Sequence, residues 1–182
     1  LHAGPGYGGS CFPKDTSALV ETGKNFNVDL SIIKSVIKTN HDVKLRMVDK
    51  VVNAANGNLK GSIISVLGVT FKPNTDDMRE APSLIIIPEL IKRGAKIRVT
   101  DPQGEREGSK LLKNVEWDGD IYNAASGSDM LLILTEWNEF RALDLEKLSK
   151  IMTSPVMVDL RNIYNKDQVL SSGFISYDSV GR

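Results

Sequence analysis

The spacing of hydrophobic positions along this chain changes near residue 60. Before that point apolar residues recur every three or four positions, as in a helix, and after it short β-branched runs alternate with helical segments. The first part predicts a short helix over residues 13–24 and a long helix over residues 30–56 that ends at Gly57. The second part predicts a helix over residues 82–93 and strands at residues 62–67, 96–100, 115–117, 130–134, 156–160 and 174–177.

Continuous apolar strands separated by helices are typical of a parallel sheet that is covered on both faces. The sequence therefore predicts an α/β fold, in which a Rossmann-like parallel-sheet domain is preceded by a long connecting helix and a short loop–helix arm. We expect the arm to comprise residues 1–29, the long helix residues 30–57 and the sheet domain residues 58–182.

The amino-acid composition and the net charge restrict the kinds of partner and the cellular location that we expect for this chain. The 182 residues carry 23 basic and 23 acidic side chains, a balance that argues against nucleic acid or an anionic membrane as the main partner. A single cysteine forms no internal disulfide, so we expect a reducing, cytoplasmic location. No apolar run approaches the roughly 20 residues of a membrane span, and no metal site is predicted.

The first eleven residues combine a glycine-rich segment with that single cysteine. Glycines stand at positions 4, 6, 8 and 9, which predicts a loop with close main-chain approaches. Lys14 and the start of the following helix would both favour the thiolate form of Cys11, and Asp15 is placed to orient a water or accept a proton. The pattern indicates a reactive thiol, against the alternative of a small buried hydrophobic side chain.

A second group of polar residues follows the predicted strands. Ligands of open parallel sheets bind outside the carboxyl ends of the strands, and Lys72 and Arg161 follow the first and fifth strands. The fold would bring these two cations to one crevice, as a phosphorylated ligand requires. The turn over residues 68–73 lacks the G-x-G-x-x-G pattern, so we do not expect it to be the principal site for a dinucleotide.

Two motifs together resemble the UDP-glucose/GDP-mannose dehydrogenase family. GPGYGGSCFPKD at residues 4–15 is similar to the family's catalytic cysteine motif, and GVTFKP at residues 68–73 is similar to its second signature. The second motif continues with Thr75, Asp76, Asp77, Arg79, Glu80, Pro82 and Ser83. Smaller similarities are Asp101-Pro102, Thr135-Glu136-Trp137 and Asp159-Leu160-Arg161-Asn162. The resemblance covers the whole chain in order and is greatest to the UDP-glucose branch of the family.

The resemblance implies NAD-dependent oxidation of UDP-glucose to UDP-glucuronate in two hydride transfers. Cys11 would add to the aldehyde carbon as a thiohemiacetal and later form a thioester, which Asp15 would help water to hydrolyse. Lys14 would lie beside the nicotinamide and the substrate, and Arg79 would contact the NAD pyrophosphate. The substrate contacts that the resemblance implies are His2, Tyr7, Gly8, Phe12, Phe71, Lys72 and Arg161.

The resemblance also carries expectations about partners. The family's N-terminal NAD-binding domain is expected to be missing from this chain, which would then be inactive alone. The sheet domain would bind UDP-glucose, and the long helix would pair with its copy in a homodimer. Two alternatives stay open: another nucleotide-sugar dehydrogenase, such as the GDP-mannose type, and a stand-alone nucleotide-sugar-binding module. Phe12 followed by Pro-Lys-Asp favours UDP-glucose.

Overall fold

The structure, a computed structural model, describes residues 3–181, which form seven α-helices, one short 3-10 helix and six strands. The α-helices are α1 (Phe12–Asn25), α2 (Ser31–Ala54), α3 (Ser83–Lys92), α4 (Glu105–Leu111), α5 (Ile121–Ala125), α6 (Leu145–Ile151) and α7 (Lys166–Ser171). The strands are β1 (Ile63–Leu67), β2 (Lys96–Thr100), β3 (Val115–Trp117), β4 (Met130–Ile133), β5 (Val156–Asp159) and β6 (Ser176–Ser179), and the 3-10 helix is Asn138–Arg141.

All six strands are parallel and lie in the order β3-β2-β1-β4-β5-β6. The chain therefore winds outward from β1 first in one direction and then in the other. Leu67 at the end of β1 pairs with Thr100 of β2 and Ile133 of β4, so the loops after these strands leave the sheet side by side. Such a reversal of strand order opens a crevice at the carboxyl edge of the sheet. The α/β fold with a parallel sheet is confirmed.

Alternate residues of the buried strands contribute side chains to two hydrophobic clusters, one on each face of the sheet. One cluster joins Ile64 and Val66 of β1 to α3 and to the C-terminal half of α2. The other joins Leu67 to the helices on the opposite face, with Trp137 and Phe140 among its largest buried side chains. Both faces are thus covered, as continuous apolar strands predict.

The two halves of α2 lie in different surroundings. Met47, Val48 and Val51 in the C-terminal half are buried against the sheet domain. In the N-terminal half Ile32 is 77% exposed and Val36 is 37% exposed. The predicted apolar stripe is therefore covered along only part of the helix. Within residues 3–181 no helix has the length and apolar character of a membrane span.

The last strand is shifted by two residues from its predicted position, and four short helices had no predicted bounds. The strand predicted at residues 174–177 is β6 at Ser176–Ser179, because Phe174 is a core side chain that precedes the strand. The helices α4 to α7 have five to seven residues each, too few turns for a helical period to stand out. The two long helices lie within two residues of their predicted bounds, and the first five strands lie within one residue of theirs.

Candidate functional site

The glycine loop, residues 4–10, lies against the turn that precedes α3. The Gly9 amide donates to the Arg79 carbonyl at 2.8 Å. A Cβ atom on Gly8 would lie 2.3 Å from the carbonyl oxygen of Glu80. The two main chains therefore touch with no room for a side chain between them, which explains the glycine at position 8.

Two polar residues of α2 hold this pair of segments, and sequence reasoning missed both. Asn40 accepts from the Tyr7 amide at 2.8 Å and donates to the Tyr7 carbonyl at 3.1 Å. Lys44 is 3% exposed and donates to the Glu80 carbonyl at 3.3 Å. Burial lowers the pKa of Lys44, and the Glu80 carboxylate opposes that shift. The missed signal is that both residues continue the buried stripe of α2 toward its N-terminus at helical spacing.

The three residues predicted to act in catalysis lie on one helical turn. Cys11 caps the start of α1 and is exposed, with Sγ 3.7 Å from Oγ of Ser10. Its carbonyl accepts from the Asp15 amide at 2.8 Å, which closes the first turn. Nζ of Lys14 lies 3.6 Å from Oδ1 of Asp15, and both side chains are mostly exposed. The structure therefore brings the three together on the solvent side, and their chemical roles stay predictions.

A first cavity of about 920 Å³ lies between the glycine loop, the N-terminal half of α2 and the carboxyl edge of the sheet. Five of the residues predicted to contact substrate line it: Tyr7, Gly8, Phe71, Lys72 and Arg161. The ring of Phe12 lies edge-on to that of Tyr7, with 4.6 Å between the centroids, and is not among the lining residues. His2 lies outside the described residues.

The two predicted cations of the crevice have different environments. Lys72 is exposed, with Nζ 5.3 Å from the centroid of the Phe71 ring. Arg161 is largely buried, donates to the carbonyls of Leu134 at 2.7 Å and Phe71 at 3.2 Å, and pairs with Glu136 at 3.0 Å. Burial lowers the pKa of Arg161, while Glu136 opposes the shift. Arg161 thus fastens the Phe71 segment to the end of β4, and sequence reasoning missed its acidic partner.

The main-chain amides of the turn after β1 donate to a carboxylate of the same chain. Asp101, which follows β2, accepts hydrogen bonds from five nitrogen donors: the amides of Val69, Thr70, Gln103 and Gly104 and the indole nitrogen of Trp137. The amides directly after β1 are the ones that bind a pyrophosphate in dinucleotide folds. Because Asp101 takes them, this turn does not fit NAD, in agreement with its missing glycine pattern.

A second cavity of about 710 Å³ lies between α1, α2 and the turn before α3. Lys14 and Arg79, the two residues predicted to contact the cofactor, both line it. The Arg79 guanidinium makes two hydrogen bonds to the Asp77 carboxylate, at 2.9 and 2.8 Å. This pairing lowers the pKa of Asp77 and raises that of Arg79, to which Cys11 adds a smaller electrostatic contribution.

A doubly wound parallel sheet with a ligand-sized cavity at its carboxyl edge defines a nucleotide-binding class of domain. Comparison with family models identifies which one. Residues 65–166 match the UDP binding domain of the UDP-glucose/GDP-mannose dehydrogenase family, and residues 1–42 match the central domain of the same family. The chain belongs to the UDP-glucose/GDP-mannose dehydrogenase family.

Individual relatives agree with this assignment. The chain is 49% identical over its whole length to UDP-glucose 6-dehydrogenase from Rhizobium meliloti and covers 41% of that protein. The solved UDP-glucose dehydrogenase from Pyrobaculum islandicum superposes with a TM-score of 0.79 at 31% identity, over 96% of this chain and 38% of that one. The NDP-N-acetyl-D-galactosaminuronic acid dehydrogenase from Methanosarcina mazei gives a TM-score of 0.86 at 26% identity, over 100% and 40%. This chain spans about two fifths of the length of these relatives.

Proposed function

We propose that this chain is the UDP-glucose-binding and cysteine-bearing portion of an NAD-dependent UDP-glucose 6-dehydrogenase. The observation that carries the proposal is the first cavity, where the glycine loop, α2 and the ends of β1, β4 and β5 meet. Residues far apart in sequence contribute an aromatic ring, a lysine and glycine main chain to one space. These are the groups that a base, a diphosphate and a sugar require.

Lys72 is the group that we assign to the diphosphate. Its ammonium is exposed at the wall of the cavity, whereas the charge of Arg161 is balanced by Glu136 at 3.0 Å. Phe71 contacts both cations, since its ring centroid lies 5.3 Å from the Lys72 ammonium and its carbonyl accepts from Arg161, and we assign its ring as the aromatic surface for the ligand. The cavity volume of about 920 Å³ is within the range of small-molecule sites.

The chemistry that we propose for α1 is covalent. The Cys11 sulfur bonds to the aldehyde carbon of the oxidised sugar and its proton passes to the aldehyde oxygen, which gives a thiohemiacetal. Oxidation of that adduct gives a thioester, and water that Asp15 orients then displaces the sulfur and releases the carboxylate. NAD supplies the hydride acceptor. Because the turn after β1 does not fit it, we place NAD on a domain beyond these residues, reached by Lys14 and Arg79.

The same proposal covers assembly and location. Ile32 and Val36 leave the N-terminal half of α2 apolar and exposed, which supports a homodimer through this helix. An exposed thiol at Cys11 suits a reducing compartment, which supports a cytoplasmic location.

Titration calorimetry of the chain with UDP and UDP-glucose tests the binding proposal. We expect dissociation constants in the upper micromolar range or weaker, since only part of the contact set is present. Lys72→Ala should weaken binding about tenfold, because a charge-assisted phosphate contact is removed. Lys96→Ala is the matched control, since Lys96 is an exposed lysine at the opposite edge of the sheet. Equal affinities for the parent chain and Lys72→Ala would contradict the assignment.

The test also addresses the alternative nucleotide sugars. The Methanosarcina mazei structure, named for a different sugar, superposes as well as the Pyrobaculum islandicum structure does, so the fold does not select the sugar. The 49% identity to a UDP-glucose 6-dehydrogenase is what favours UDP-glucose. Tighter binding of GDP-mannose than of UDP-glucose would favour the GDP-mannose alternative.

A further inference from the structure

We infer that Asn40 is a positioning residue for the glycine loop and, through that loop, for Cys11. The inference rests on the proposed function, because the loop is taken to carry the reactive thiol and to line the substrate cavity. It assigns a task to the middle of α2, which otherwise serves as a connecting and pairing helix.

The contact between Asn40 and Tyr7 has two parts that act together. The carboxamide oxygen accepts from the Tyr7 amide at 2.8 Å, and the carboxamide nitrogen donates to the Tyr7 carbonyl at 3.1 Å. Pairing with both main-chain groups of one residue fixes the rotation of the loop as well as its position, as a neighbouring strand would. Aspartate, leucine and alanine cannot make both bonds at this site.

Asn40 connects the glycine loop to a helix that is anchored on the sheet. It lies in the middle of α2, whose C-terminal half is anchored to the sheet by Met47, Val48 and Val51. Gly6 is seated directly on the carboxamide, since a Cβ atom there would lie 2.8 Å from Oδ1 of Asn40. The glycine loop is thereby tied to the sheet domain, although it is 33 residues away from Asn40 in sequence.

The Asn40–Tyr7 contact also separates the two cavities. Tyr7 and Asn40 line both of them. The first cavity holds Lys72 and Arg161, and the second holds Lys14 and Arg79. A shift of Tyr7 would therefore change both spaces at once, only four positions before Cys11. This double role distinguishes Asn40 from a residue that merely packs.

The experiment compares Asn40→Ala and Asn40→Asp with the parent chain. Asn40→Asp keeps the size and one acceptor but replaces the donor by an oxygen that repels the Tyr7 carbonyl. The matched control is Asp42→Asn, the reverse exchange two residues along α2, at a side chain that pairs with Lys38. Three quantities are measured: amide hydrogen exchange at Tyr7, the rate of Cys11 alkylation by iodoacetamide, and the dissociation constant for UDP.

We expect Tyr7 amide exchange to accelerate about tenfold or more in Asn40→Ala, since one lost hydrogen bond is commonly worth that factor. Cys11 alkylation should change severalfold in both Asn40 variants and UDP binding should weaken about tenfold, while Asp42→Asn behaves as the parent. A merely structural Asn40 would lower the unfolding midpoint and leave the alkylation rate and UDP affinity of the folded chain unchanged. That result would overturn the inference.

Two features keep the test decisive. If the parent chain does not bind UDP, the proposed function fails, while exchange at Tyr7 and alkylation of Cys11 still decide the role of Asn40. If both variants fail to fold, exchange in the parent chain decides. A Tyr7 amide that exchanges at the rate of an unprotected amide would show that the pairing with Asn40 does not hold the loop.

Discussion

Gly8→Ala is the sharpest test of how the glycine loop is held. The added Cβ would lie 2.3 Å from the Glu80 carbonyl oxygen, 2.9 Å from the Glu80 carbonyl carbon and 3.2 Å from Cα of Ala81. All three are main-chain atoms, so no side chain can rotate away to accept the methyl group. The two segments would have to separate by about 1 Å to restore an ordinary contact distance.

Such a separation has a calculable cost. The Gly9–Arg79 hydrogen bond of 2.8 Å would be stretched beyond bonding distance, which costs about 1 kcal/mol. Overpacking adds about 1–3 kcal/mol, and the lower entropy of alanine in the unfolded chain returns about 0.4–1 kcal/mol. We therefore expect a net loss of about 2 kcal/mol, or about 4–8 °C in the unfolding midpoint for a chain of this size.

Ligand binding should respond more strongly than stability, because the glycine loop lines the first cavity and can swing out without unfolding the sheet. The assays are thermal unfolding and UDP titration. Gly119→Ala is the matched control, since Gly119 has no atom within 4 Å of an added Cβ and should unfold within about 0.5 kcal/mol of the parent. A Gly8→Ala chain with parental stability and parental UDP affinity would refute the close packing of the two segments.

Two further predictions concern the sheet edge and the thiol. Asp101→Asn replaces a carboxylate that accepts from five nitrogen donors and the Thr70 hydroxyl by an amide whose own two donors would face other donors. Chemical denaturation should show a loss of about 2–3 kcal/mol, and an unchanged midpoint would contradict the role of Asp101 in ordering the turn. In a chimera that supplies the remaining part of the Rhizobium meliloti relative, Cys11→Ala should abolish release of UDP-glucuronate, measured by mass spectrometry, with UDP-glucose binding nearly unchanged. Substantial release by that variant would remove Cys11 from the mechanism.

The sheet could be predicted because its signal is local. A buried parallel strand favours a continuous apolar run, which β4 provides and which β1 and β5 provide apart from Ser65 and Asp159. In β2 the apolar residues Ile97 and Val99 alternate with polar ones, which is also a strand pattern. The bounds of β6 could not be predicted, since the apolar signal of Phe174 comes from core packing and not from strand pairing. The spacing of apolar residues indicates which positions are buried. It indicates secondary structure only where burial follows the period of a helix or a strand.

The site could be predicted only where topology alone places a residue. Lys72 and Arg161 follow parallel strands, so their convergence on one edge needs no knowledge of side-chain contacts. The contacts of Asn40 and Lys44 depend on how α2 crosses the sheet and where the glycine loop returns, which no local pattern contains. Polar residues on a buried helical stripe still indicate tertiary contacts, because a buried polar group requires a hydrogen-bond partner.

Glu136 changes how the two cations of the crevice should be probed. Replacing Arg161 would remove the donors of two carbonyls and leave Glu136 as a carboxylate without its cation, so lost binding would combine a damaged site with a missing contact. Lys72 is exposed, with its ammonium 5.3 Å from the centroid of the Phe71 ring, so removing this side chain should leave the fold largely as it was. In the proposed site, the net positive charge available to a diphosphate would therefore come from Lys72, while Arg161 would shape the wall of the cavity. A sequence reading assigns the two cations equal roles, and the acidic neighbour makes them unequal.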